Sequence, residues 1–468
     1  MRLIPIYTWN KGVHYVSESR NRFVKQPWAQ GVLLLGCVIL AMLLANLPFT
    51  KEGYRAFLET TFTIHIASPD GNLSLFLPKD MTIEKFINDV LMTVFFFTVG
   101  LEIRREVAYG ELSSPKKAMM PVIAAFGGVL APAIIYTVIN HGTPAASGWG
   151  IPTATDIAFA VCILSVLGDK VPVSLKVFLT ALAIADDLIA ILVVALFYGG
   201  QINFVLLAIA LVVILLTIVL RRIGEKNLTP YLILALVVWI LFYYSGIHAT
   251  MSGVVMAFLI PSSPRYNKSQ FLHKWSHYYN QFYEYAGIPS QAFPNGPQRH
   301  CIKRMNAIGK GSMDMTYRLE VALSPWVNFL IMPIFALANA GVEISDPGYF
   351  NVFATSAAGS VSMGIFFGLL LGKPIGITLF SWLAIKLKVG EMPSKATWPM
   401  FFAVACLGGI GFTMSIFVDT LSFGDQPAEL MAHMRDAGKI AVLMGSVCAG
   451  ILGTILVNIV NKLQTRKK

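Results

Sequence analysis

The sequence contains 468 residues, of which 56% are hydrophobic and 13% are charged, and its mean hydropathy is +0.65. Soluble domains carry about 25% charged residues, so this composition excludes a soluble enzyme and argues against a peripheral one. The 36 Lys and Arg exceed the 25 Asp and Glu, which gives a formal net charge of +11. In a soluble protein this excess would suggest nucleic-acid binding, but in a membrane protein it marks cytoplasmic loops. We therefore expect membrane lipid, and no nucleic acid, as the surrounding partner.

Runs of mainly apolar residues long enough to cross a bilayer, about 20 residues each, predict an all-α polytopic membrane protein. The first run follows a polar and basic N-terminal arm (1–27), and its length argues against a cleaved signal peptide. Several runs are short or merge with a neighbour, so the number of spans is uncertain by one. The twelve predicted spans are 28–48, 83–107, 119–141, 151–168, 172–198, 203–221, 230–245, 247–261, 324–342, 353–385, 398–418 and 437–461.

The distribution of basic residues supports this number of spans. If the spans alternate in direction, one side of the membrane holds 28 Lys and Arg and the other holds 5. Such a division is typical of cytoplasmic segments, which retain positive charge during insertion. We therefore predict a twelve-helix domain over 28–461 and a tail at 462–468, with both termini in the cytoplasm.

Two of the predicted connecting segments are long. The external loop 49–82 has Asp70-Gly71 at the centre of a Thr- and Ile-rich stretch, which is a strong hairpin signal, so we expect a small external β-hairpin. The cytoplasmic loop 262–320 is rich in Tyr, His, Pro, Lys and Arg and shows weak periodicity. It is either a mobile loop or a regulatory, partner-binding segment.

Several ionisable residues lie inside predicted spans, and four of them form the candidate site: Asp156, the adjacent Asp186 and Asp187, and Lys373. An ionisable side chain at mid-bilayer costs at least about 2.5 to 3.5 kcal/mol, so such residues face the interior of a bundle or a water-filled path. One Asp and one Lys by themselves could form an inert ion pair. A second, adjacent carboxylate has no use in such a pair, because neighbouring like charges disfavour joint ionisation. These three acids and one base form the candidate site.

The chemistry of buried carboxylates indicates exchange of small cations for protons. Carboxylates are hard oxygen ligands that suit alkali cations and protons but not soft metals. Because a poorly hydrated carboxylate holds protons more tightly, H⁺ and a small cation compete for one group. If the site must be occupied before it changes sides, each ion drives the other back across the membrane. Two carboxylates would let more than one H⁺ replace a single monovalent ion.

Gly and Pro interrupt two of the predicted spans. Broken helices leave unpaired backbone groups, and their ends carry partial charges of about half a unit. We expect Asp156 to offset facing N-termini and Lys373 to offset facing C-termini. A pair of interrupted helices in two halves of a chain points to the midplane site of a secondary transporter, although small residues also serve ordinary helix packing. The interruptions contain Pro152 and Asp156 in the first span and Gly409 and Gly411 in the second.

A series of sequence blocks along 83–261 and 319–461 points to a known family. The blocks include Val-Gly-Leu-Glu-Ile-Arg-Arg-Glu, Thr-Asp-Ile-Ala-Phe-Ala, Ala-Asp-Asp-Leu, Gly-Lys-Pro-Ile-Gly-Ile and Gly-Ile-Gly-Phe-Thr-Met-Ser. In this order they resemble the NhaA family of sodium/proton antiporters. The resemblance implies twelve helices with a core of two inverted three-helix repeats, in which the fourth and eleventh helices are broken and cross each other.

The same resemblance implies an electrogenic antiporter, not an enzyme, in the bacterial inner (plasma) membrane. It would export Na⁺ or Li⁺ in exchange for external H⁺ by alternating access, with two protons per cation and no cofactor, and so regulate internal pH and sodium. By motif, Asp187 is implied as the main carboxylate for protons and for transient Na⁺ or Li⁺ binding. Asp186 is implied as its neighbour, paired with Lys373 until protonation or cation binding, and Thr155 and Asp156 shape the site at the break.

A second set of residues concerns regulation by pH. Glu102, Arg105 and Glu106 lie at the predicted cytoplasmic end of the second span. They form either an ordinary helix-end salt-bridge set, worth little energetically, or, as the resemblance implies, part of a pH-regulating group. Glu320, just before the ninth predicted span, matches another position of that group. His248 would titrate near neutral pH or serve as a hydrogen-bonded packing residue.

Parts of the chain depart from the family pattern. Val321 and Ser324 follow Glu320 at positions where histidines can occur, and the loop 262–320 is longer than usual, which leaves the pH set point open. The hairpin in 49–82 lies where the family makes its dimer contact, but its residues match poorly. A homodimer through this hairpin is therefore only an expectation.

Three other functions fit parts of the pattern. An intramembrane aspartyl protease needs two carboxylates on separate helices that flank a peptide bond, and the sequence contains no Gly-x-Gly-Asp motif. A passive cation channel would use rings of carbonyls or acids and has no use for a buried Lys. An antiporter for another cation, such as K⁺, stays open on ligand type alone.

Overall fold

The computed structural model describes residues 27–67, 74–110, 112–200, 202–225, 227–285, 293–344, 350–353, 357–424 and 426–466. Almost all of the predicted N-terminal arm, the Asp70-Gly71 turn and the last two residues of the tail lie outside the described residues.

The described chain is mostly helical. Among the described residues there are three π-helical turns: Ile87–Leu91 within α3, Val327–Ile331 within α12 and Gly368–Gly372 between α13 and α14. In chain order the main elements are α1 (Pro27–Asn46), α2 (Lys51–Glu59), β1 (Thr61–Ala67), β2 (Ser74–Thr82), α3 (Ile83–Tyr109), α4 (Pro115–Ile139), a 3-10 half-helix (Pro144–Thr153), α5 (Ile157–Leu167), α6 (Val173–Phe197), α7 (Phe204–Ile223), α8 (Leu228–Ser245), α9 (Thr250–Leu259), α10 (Lys268–Glu284), α11 (Gly296–Ser312), α12 (Met315–Asn339), α13 (Ala357–Phe367), α14 (Lys373–Lys386), α15 (Trp398–Leu407), α16 (Phe412–Leu421) and α17 (Ala428–Arg466).

The number of spanning helices agrees only in part with the sequence analysis. Among the described residues, 9 helices are long and apolar enough to cross a membrane, or up to 11 if each of two bent pairs is one span. Every one of the twelve predicted segments overlaps a helix. However, α9 has only 10 residues, about 15 Å at 1.5 Å per residue, which is half of the hydrocarbon thickness of about 30 Å. The described helices therefore support nine to eleven spans and not the exact number twelve.

The long segment 262–320 differs from the irregular loop that its weak periodicity suggested. It contains two 17-residue helices: α10, which has no buried residue, and α11, which buries Cys301, Ile308 and Gly311. Each helix begins with a reciprocal capping box, Asn267 with Gln270 and Asn295 with Gln298. In a capping box two side chains satisfy backbone N–H groups at the helix start, so short polar motifs mark these helices better than hydrophobic periodicity does.

The predicted external hairpin is present as a two-stranded sheet. β1 and β2 pair antiparallel, with Thr61 opposite Thr82 and Ala67 opposite Ser74. The sheet confirms the β-hairpin expected within 49–82, although its tip lies outside the described residues.

The chain divides into two compact units. Unit one comprises Met1–Met92, Tyr109–Gly199 and Asn328–Lys468, and unit two comprises Thr93–Ala108 and Gly200–Val327. Unit one holds both interrupted helices and the four ionisable residues of the candidate site. Unit two holds the residues that the sequence analysis assigned to pH regulation.

Unit two packs around an apolar cluster drawn from five of its helices. Phe97, Tyr231, Phe242 and Met256 are buried in this cluster. Close to it, Arg104 donates hydrogen bonds to the carbonyl oxygens of Ala257 at 3.1 Å and Phe258 at 2.6 Å, near the end of α9. A cation at a helix C-terminus satisfies carbonyl groups that lack partners within the helix, which stabilises this short helix.

In unit one, α4 and α14 cross at glycines. A Cβ added at Gly127 would collide with the carbonyl oxygen of Gly376 and would lie 2.6 Å from Cβ of Phe380. Membrane helices gain stability from such close packing, because lipid tails supply no hydrophobic drive for helix association. The crossing lies on the same helix as Lys373 and holds that helix against α4.

We expect Gly127→Val to lower the melting temperature of the protein in detergent. The added methyl groups must displace backbone at the crossing, and overpacking of this kind costs about 1 to 3 kcal/mol. Gly36→Val in α1 is the matched control, because a Cβ there meets no atom of the described chain within 4 Å. Equal melting temperatures for the two variants would contradict the assigned packing.

Candidate functional site

Two interrupted helices of unit one meet at their breaks. The half-helix Pro144–Thr153 and Ile157–Lys170 are bent by 41°, and α15 and α16 are bent by 50°. Between the breaks, the backbone N–H of Asp156 donates a hydrogen bond to the carbonyl oxygen of Ile410 at 2.7 Å. The pairing gives each break a backbone partner where no water is available inside a bilayer.

The carboxylate of Asp156 bridges the N-termini of two half-helices. Its Oδ1 accepts a hydrogen bond from the backbone N–H of Phe159 at 3.2 Å, in the first turn of α5. Its Oδ2 accepts from the backbone N–H of Thr413 at 3.2 Å and also from the Thr413 hydroxyl, in the first turn of α16. Because helix N-termini carry partial positive charge, one buried carboxylate compensates both ends. This is the arrangement expected for Asp156 from its position at the break.

A serine from α17 completes the start of α16. The Oγ of Ser446 accepts hydrogen bonds from the backbone N–H groups of Gly411 at 3.2 Å and Phe412 at 3.0 Å. Phe412 has a φ of 25°, which is unusual for a residue with a bulky side chain and indicates local strain at the break. The sequence analysis missed Ser446, for which no local signal exists, and also Thr413, although Thr413 lies within the Gly-Ile-Gly-Phe-Thr-Met-Ser block.

Gly409 also has a structural role at this break. A Cβ at this position would collide with the carbonyl oxygen of Leu369 in the π-helical turn before α14. Only a residue without a side chain allows the chain to pass so close to this turn.

Lys373 is completely buried and forms an ion pair with Asp186. Its Nζ donates a hydrogen bond to Oδ2 of Asp186 and another to Oγ1 of Thr155 at 2.8 Å. The Thr155 oxygen lies 2.5 Å from Oδ2 of Asp186 and 2.9 Å from the carbonyl oxygen of Gly408, which ends α15. Since a hydroxyl has one proton, Thr155 can donate to only one of these oxygens at a time. Lys373 thus approaches a helix C-terminus through Thr155, and its direct ionic partner is Asp186.

A π-helical turn precedes Lys373 and packs against two prolines. A Cβ added at Gly368 would lie 2.7 Å from Cβ of Pro152, and one added at Gly372 would lie 2.9 Å from Cα of Pro132. Gly368 therefore allows the turn to approach the half-helix that ends at the first break, and Gly372 allows it to approach α4. Single π turns of this kind occur frequently at functional sites in helical proteins.

Asp186 and Asp187 are both buried in α6, with 2% and 1% of their surface exposed. Adjacent residues of a helix point about 100° apart, so the two carboxyls face different neighbours. Within the described residues, Oδ1 of Asp186 has no hydrogen-bond partner. With Asp156, the cluster contains three acidic groups and one base. Such a group of oxygen ligands can hold protons or a small hard cation.

The residues that the sequence analysis linked to pH form a separate cluster in unit two. Arg105 donates from Nη1 to Oε1 of Glu320 at 2.5 Å and from Nη2 to Oε1 of Glu106 at 3.0 Å. Oε1 of Glu102 lies 3.9 Å from the same Arg105 nitrogen, Nη2. Glu320 lies within α12, which begins at Met315, so our placement of Glu320 before the ninth helix is wrong. The side chain of Asp314 caps this earlier start by accepting a hydrogen bond from the N–H of Tyr317.

His248 lies just before α9 in unit two and does not belong to the Arg105 ion-pair set that the structure records. Its Nδ1 lies 2.8 Å from the Thr250 hydroxyl. Which of the two atoms donates depends on the tautomer of the imidazole ring. The contact is compatible with both roles considered for His248.

Comparison with known proteins places this arrangement in one family. A family model described as Na⁺/H⁺ antiporter 1 matches residues 21–457. The chain is 40% identical over 439 residues to a protein of Oleidesulfovibrio alaskensis named Na(+)/H(+) antiporter NhaA, with 94% of this chain and 93% of the relative covered. Relatives with the same name are 41% identical over 439 residues in Shewanella amazonensis, covering 94% and 96%, and 39% identical over 454 residues in Helicobacter pylori, covering 97% and 98%.

We expect Lys373→Met to destabilise the protein at alkaline pH, where Asp186 is ionised. Removal of one partner leaves a buried charge without compensation, which costs about 3 to 5 kcal/mol. The double variant Asp186→Asn, Lys373→Met removes both charges and should recover most of the loss. The measurement is the melting temperature in detergent of the unmodified protein, of Lys373→Met and of the double variant. A double variant that is no more stable than Lys373→Met would refute the pairing as the cause.

Proposed function

Since the chain belongs to the NhaA family of Na⁺/H⁺ antiporters, which are secondary transporters and not enzymes, we propose that it exports Na⁺ or Li⁺ in exchange for external H⁺. The observation that carries this proposal is the buried group of Asp186, Asp187 and Lys373 beside two crossing half-helices. This group places carboxylate oxygens, which can bind a proton or a cation, at a site where helix ends face each other.

In the proposed cycle, Asp187 binds either a proton or the cation, so the two ions compete for one carboxylate. Asp186 is neutralised by Lys373 as long as Asp187 is not occupied by the cation. When the cation binds, Asp187 and Lys373 each release one proton, the Lys373–Asp186 pair separates, and Asp186 contributes a second carboxylate. When protons return, the cation leaves and the ion pair forms again. No covalent bond other than O–H or N–H forms or breaks.

Two titratable groups give the proposed exchange its electrogenic character. If the cycle returns two protons for each monovalent cation, one net positive charge crosses the membrane per cycle. A charge that crosses a membrane potential of 100 mV is worth about 2.3 kcal/mol. The potential across the bacterial inner membrane would therefore contribute to the export of Na⁺, and the protein would regulate internal pH and sodium.

Alternating access is proposed to occur at the crossing of the broken helices. Asp156 and Thr413 hold the N-terminal ends of α5 and α16 together, and Thr155 connects the ion pair to the end of α15. An ion at Asp187 therefore changes the balance of charge beside short helix ends that lack full backbone hydrogen bonding. Small movements of these ends would open the site to one side at a time.

The remaining proposals concern regulation and assembly. The Arg105 cluster with Glu102, Glu106 and Glu320 is proposed to adjust activity with pH, with His248 as a further candidate. The division of basic residues supports cytoplasmic N- and C-termini. The β1–β2 hairpin would then lie outside the cell, where it is available for a homodimer contact.

We expect everted membrane vesicles that contain the protein to release trapped protons on addition of Na⁺ or Li⁺, with tighter apparent cation binding as pH rises. Asp187→Asn should abolish this exchange and still insert into the membrane. The readout is dequenching of a pH-sensitive dye, with K⁺ tested alongside.

Asp169→Asn, at an exposed position after α5, is the matched control and should exchange like the unmodified protein. Full activity of Asp187→Asn would refute the assigned role of that residue. Movement of Na⁺ without any movement of H⁺ would identify a channel instead of an antiporter. Preference for K⁺ over Na⁺ and Li⁺ would change the assigned cation.

We expect Lys373→Ala to change the pH profile of exchange or the charge moved per cycle. The reason is that Asp186 loses its internal cation and must be neutralised by a proton or by the transported ion. Exchange in proteoliposomes, recorded with a pH dye and with a membrane-potential dye, measures both quantities. An unchanged profile together with unchanged electrogenicity would exclude a transport role for Lys373.

A further inference from the structure

Asp419 is a buried acid in α16 that the proposed exchange site does not use. It lies at the end of the half-helix opposite to the break and has 0% of its surface exposed. Among the described residues, neither of its carboxyl oxygens has a hydrogen-bond partner. Buried polar groups without partners are rare and costly, and each one calls for an explanation.

The side chain of Asp419 contacts a glycine of α17. A Cβ added at Gly438 would collide with Oδ1 of Asp419 and would lie 3.0 Å from its Cγ. Any other residue at position 438 would fill the space that the carboxyl group occupies. The two helices thus enclose the acid and leave no room beside Gly438 for a bulky ligand.

Charged groups near Asp419 come mainly from the start of α17. The positive charges of Lys439 and Arg435 act on the carboxyl group, and so does the negative charge of Asp436. Arg435 donates from Nη2 to the carbonyl oxygen of Ser422 at 3.3 Å, and the structure records no ion pair within 4.0 Å between Asp419 and the described basic residues. Two nearby cations disfavour a bound Na⁺ but are compatible with a group that alternates between carboxylate and carboxylic acid.

Two tyrosines from other elements also face Asp419. Tyr136 of α4 and Tyr198 after α6 interact with it electrostatically. Their hydroxyls donate to the carbonyl oxygens of Ala145 and Ser147, each at 2.8 Å. The half-helix Pro144–Thr153 and the segment Met332–Asn339, which also pack against α16, contain no titratable residue.

A polar cavity of about 410 Å³ lies beside this region in unit one. Its lining includes Thr420, the direct neighbour of Asp419, and also Arg435, Asp436 and Lys439. Tyr54 lines another part of the cavity, where burial and the negative charge of Glu84 raise the pKa of Tyr54 to about 12. Its phenol therefore stays protonated near neutral pH.

Polar side chains lie between Asp419 and the crossing of the broken helices. Ser415 lies one turn before Asp419 on the same side of α16, where residues four apart are neighbours. Ser415 is fully buried, and its Oγ has no hydrogen-bond partner among the described residues. Further along, Ser446 binds the N–H groups at the start of α16. The helix rises about 9 Å between Thr413, which binds Asp156, and Asp419.

We propose that Asp419 is a second proton-binding carboxyl group, placed between the polar cavity and the crossing of the broken helices. This inference rests on the proposed antiport and on the external position predicted for the end of α16. A proton from water in the cavity would convert the carboxylate to the neutral acid. The acid would then release this proton along the Ser415 side of α16 toward the carboxylates at the crossing.

The test varies pH separately on the two faces of proteoliposomes that contain the protein in one orientation. In Asp419→Asn, the external pH dependence of exchange should shift toward acid by about one unit, a tenfold loss in apparent proton affinity. The internal pH dependence should stay unchanged, because the lost group serves only the outer half of the path. A residue with a purely structural role would not produce such a one-sided shift.

Asp436→Asn is the matched control, since it also removes one acidic group, in this case from the wall of the cavity, and should shift the external profile less. Equal shifts in the two variants, equal shifts on both faces of Asp419→Asn, or superimposable profiles would overturn the proposal. If Asp419→Asn does not reach the membrane, Asp419→Ser supplies the same comparison. Absence of exchange in the unmodified protein would instead refute the proposed antiport itself.

Discussion

The hydrogen bonds of Asp156 at the two helix breaks are the interaction on which the rest of the site depends. Inside a bilayer, each backbone group freed by a helix break must find a partner in the protein. The carboxylate of Asp156 accepts hydrogen bonds from two such N–H groups, of Phe159 in α5 and Thr413 in α16, and from the Thr413 hydroxyl. Its own N–H pairs with Ile410. Ser446 satisfies two further N–H groups at the start of α16. Without these partners, two short half-helices could not meet in an apolar environment.

The ion pair of Lys373 with Asp186 poses the opposite problem, because a buried pair loses the hydration of both charges. Thr155 reduces this cost by adding a hydrogen-bond partner to Lys373 and to the carboxylate. Glycines of the π-helical turn and of the α4 crossing let the backbone of α14 pack closely against its neighbours. This packing positions Lys373 for its ion pair with Asp186. Asp187 is the second buried acid of α6, and it interacts electrostatically with Lys373. Occupancy by one mobile ion can therefore alter the charge balance of the whole cluster.

The half-helix α16 runs from the broken-helix crossing to the region beside the polar cavity. Thr413 at one end serves Asp156, and Asp419 at the other end lies enclosed by Gly438 and near two basic residues of α17. A single half-helix thus carries both the hydrogen bond that stabilises the break and a carboxyl group beside water-accessible space.

The amino-acid sequence by itself determined which segments are apolar enough to span, where Gly and Pro interrupt them, and which acids and which lysine lie inside. These features follow from local composition and spacing, because the free-energy cost of removing polar groups from water can be judged residue by residue. It also located the hairpin, because Asp-Gly between β-forming residues is a local signal. Only the tertiary structure decided that Thr413 and Ser446 stabilise the second break, that α12 begins before Glu320, and that Asp419 lies against Gly438. Each of these depends on a partner distant in the chain or on a capping contact, and hydrophobic periodicity contains no information about either.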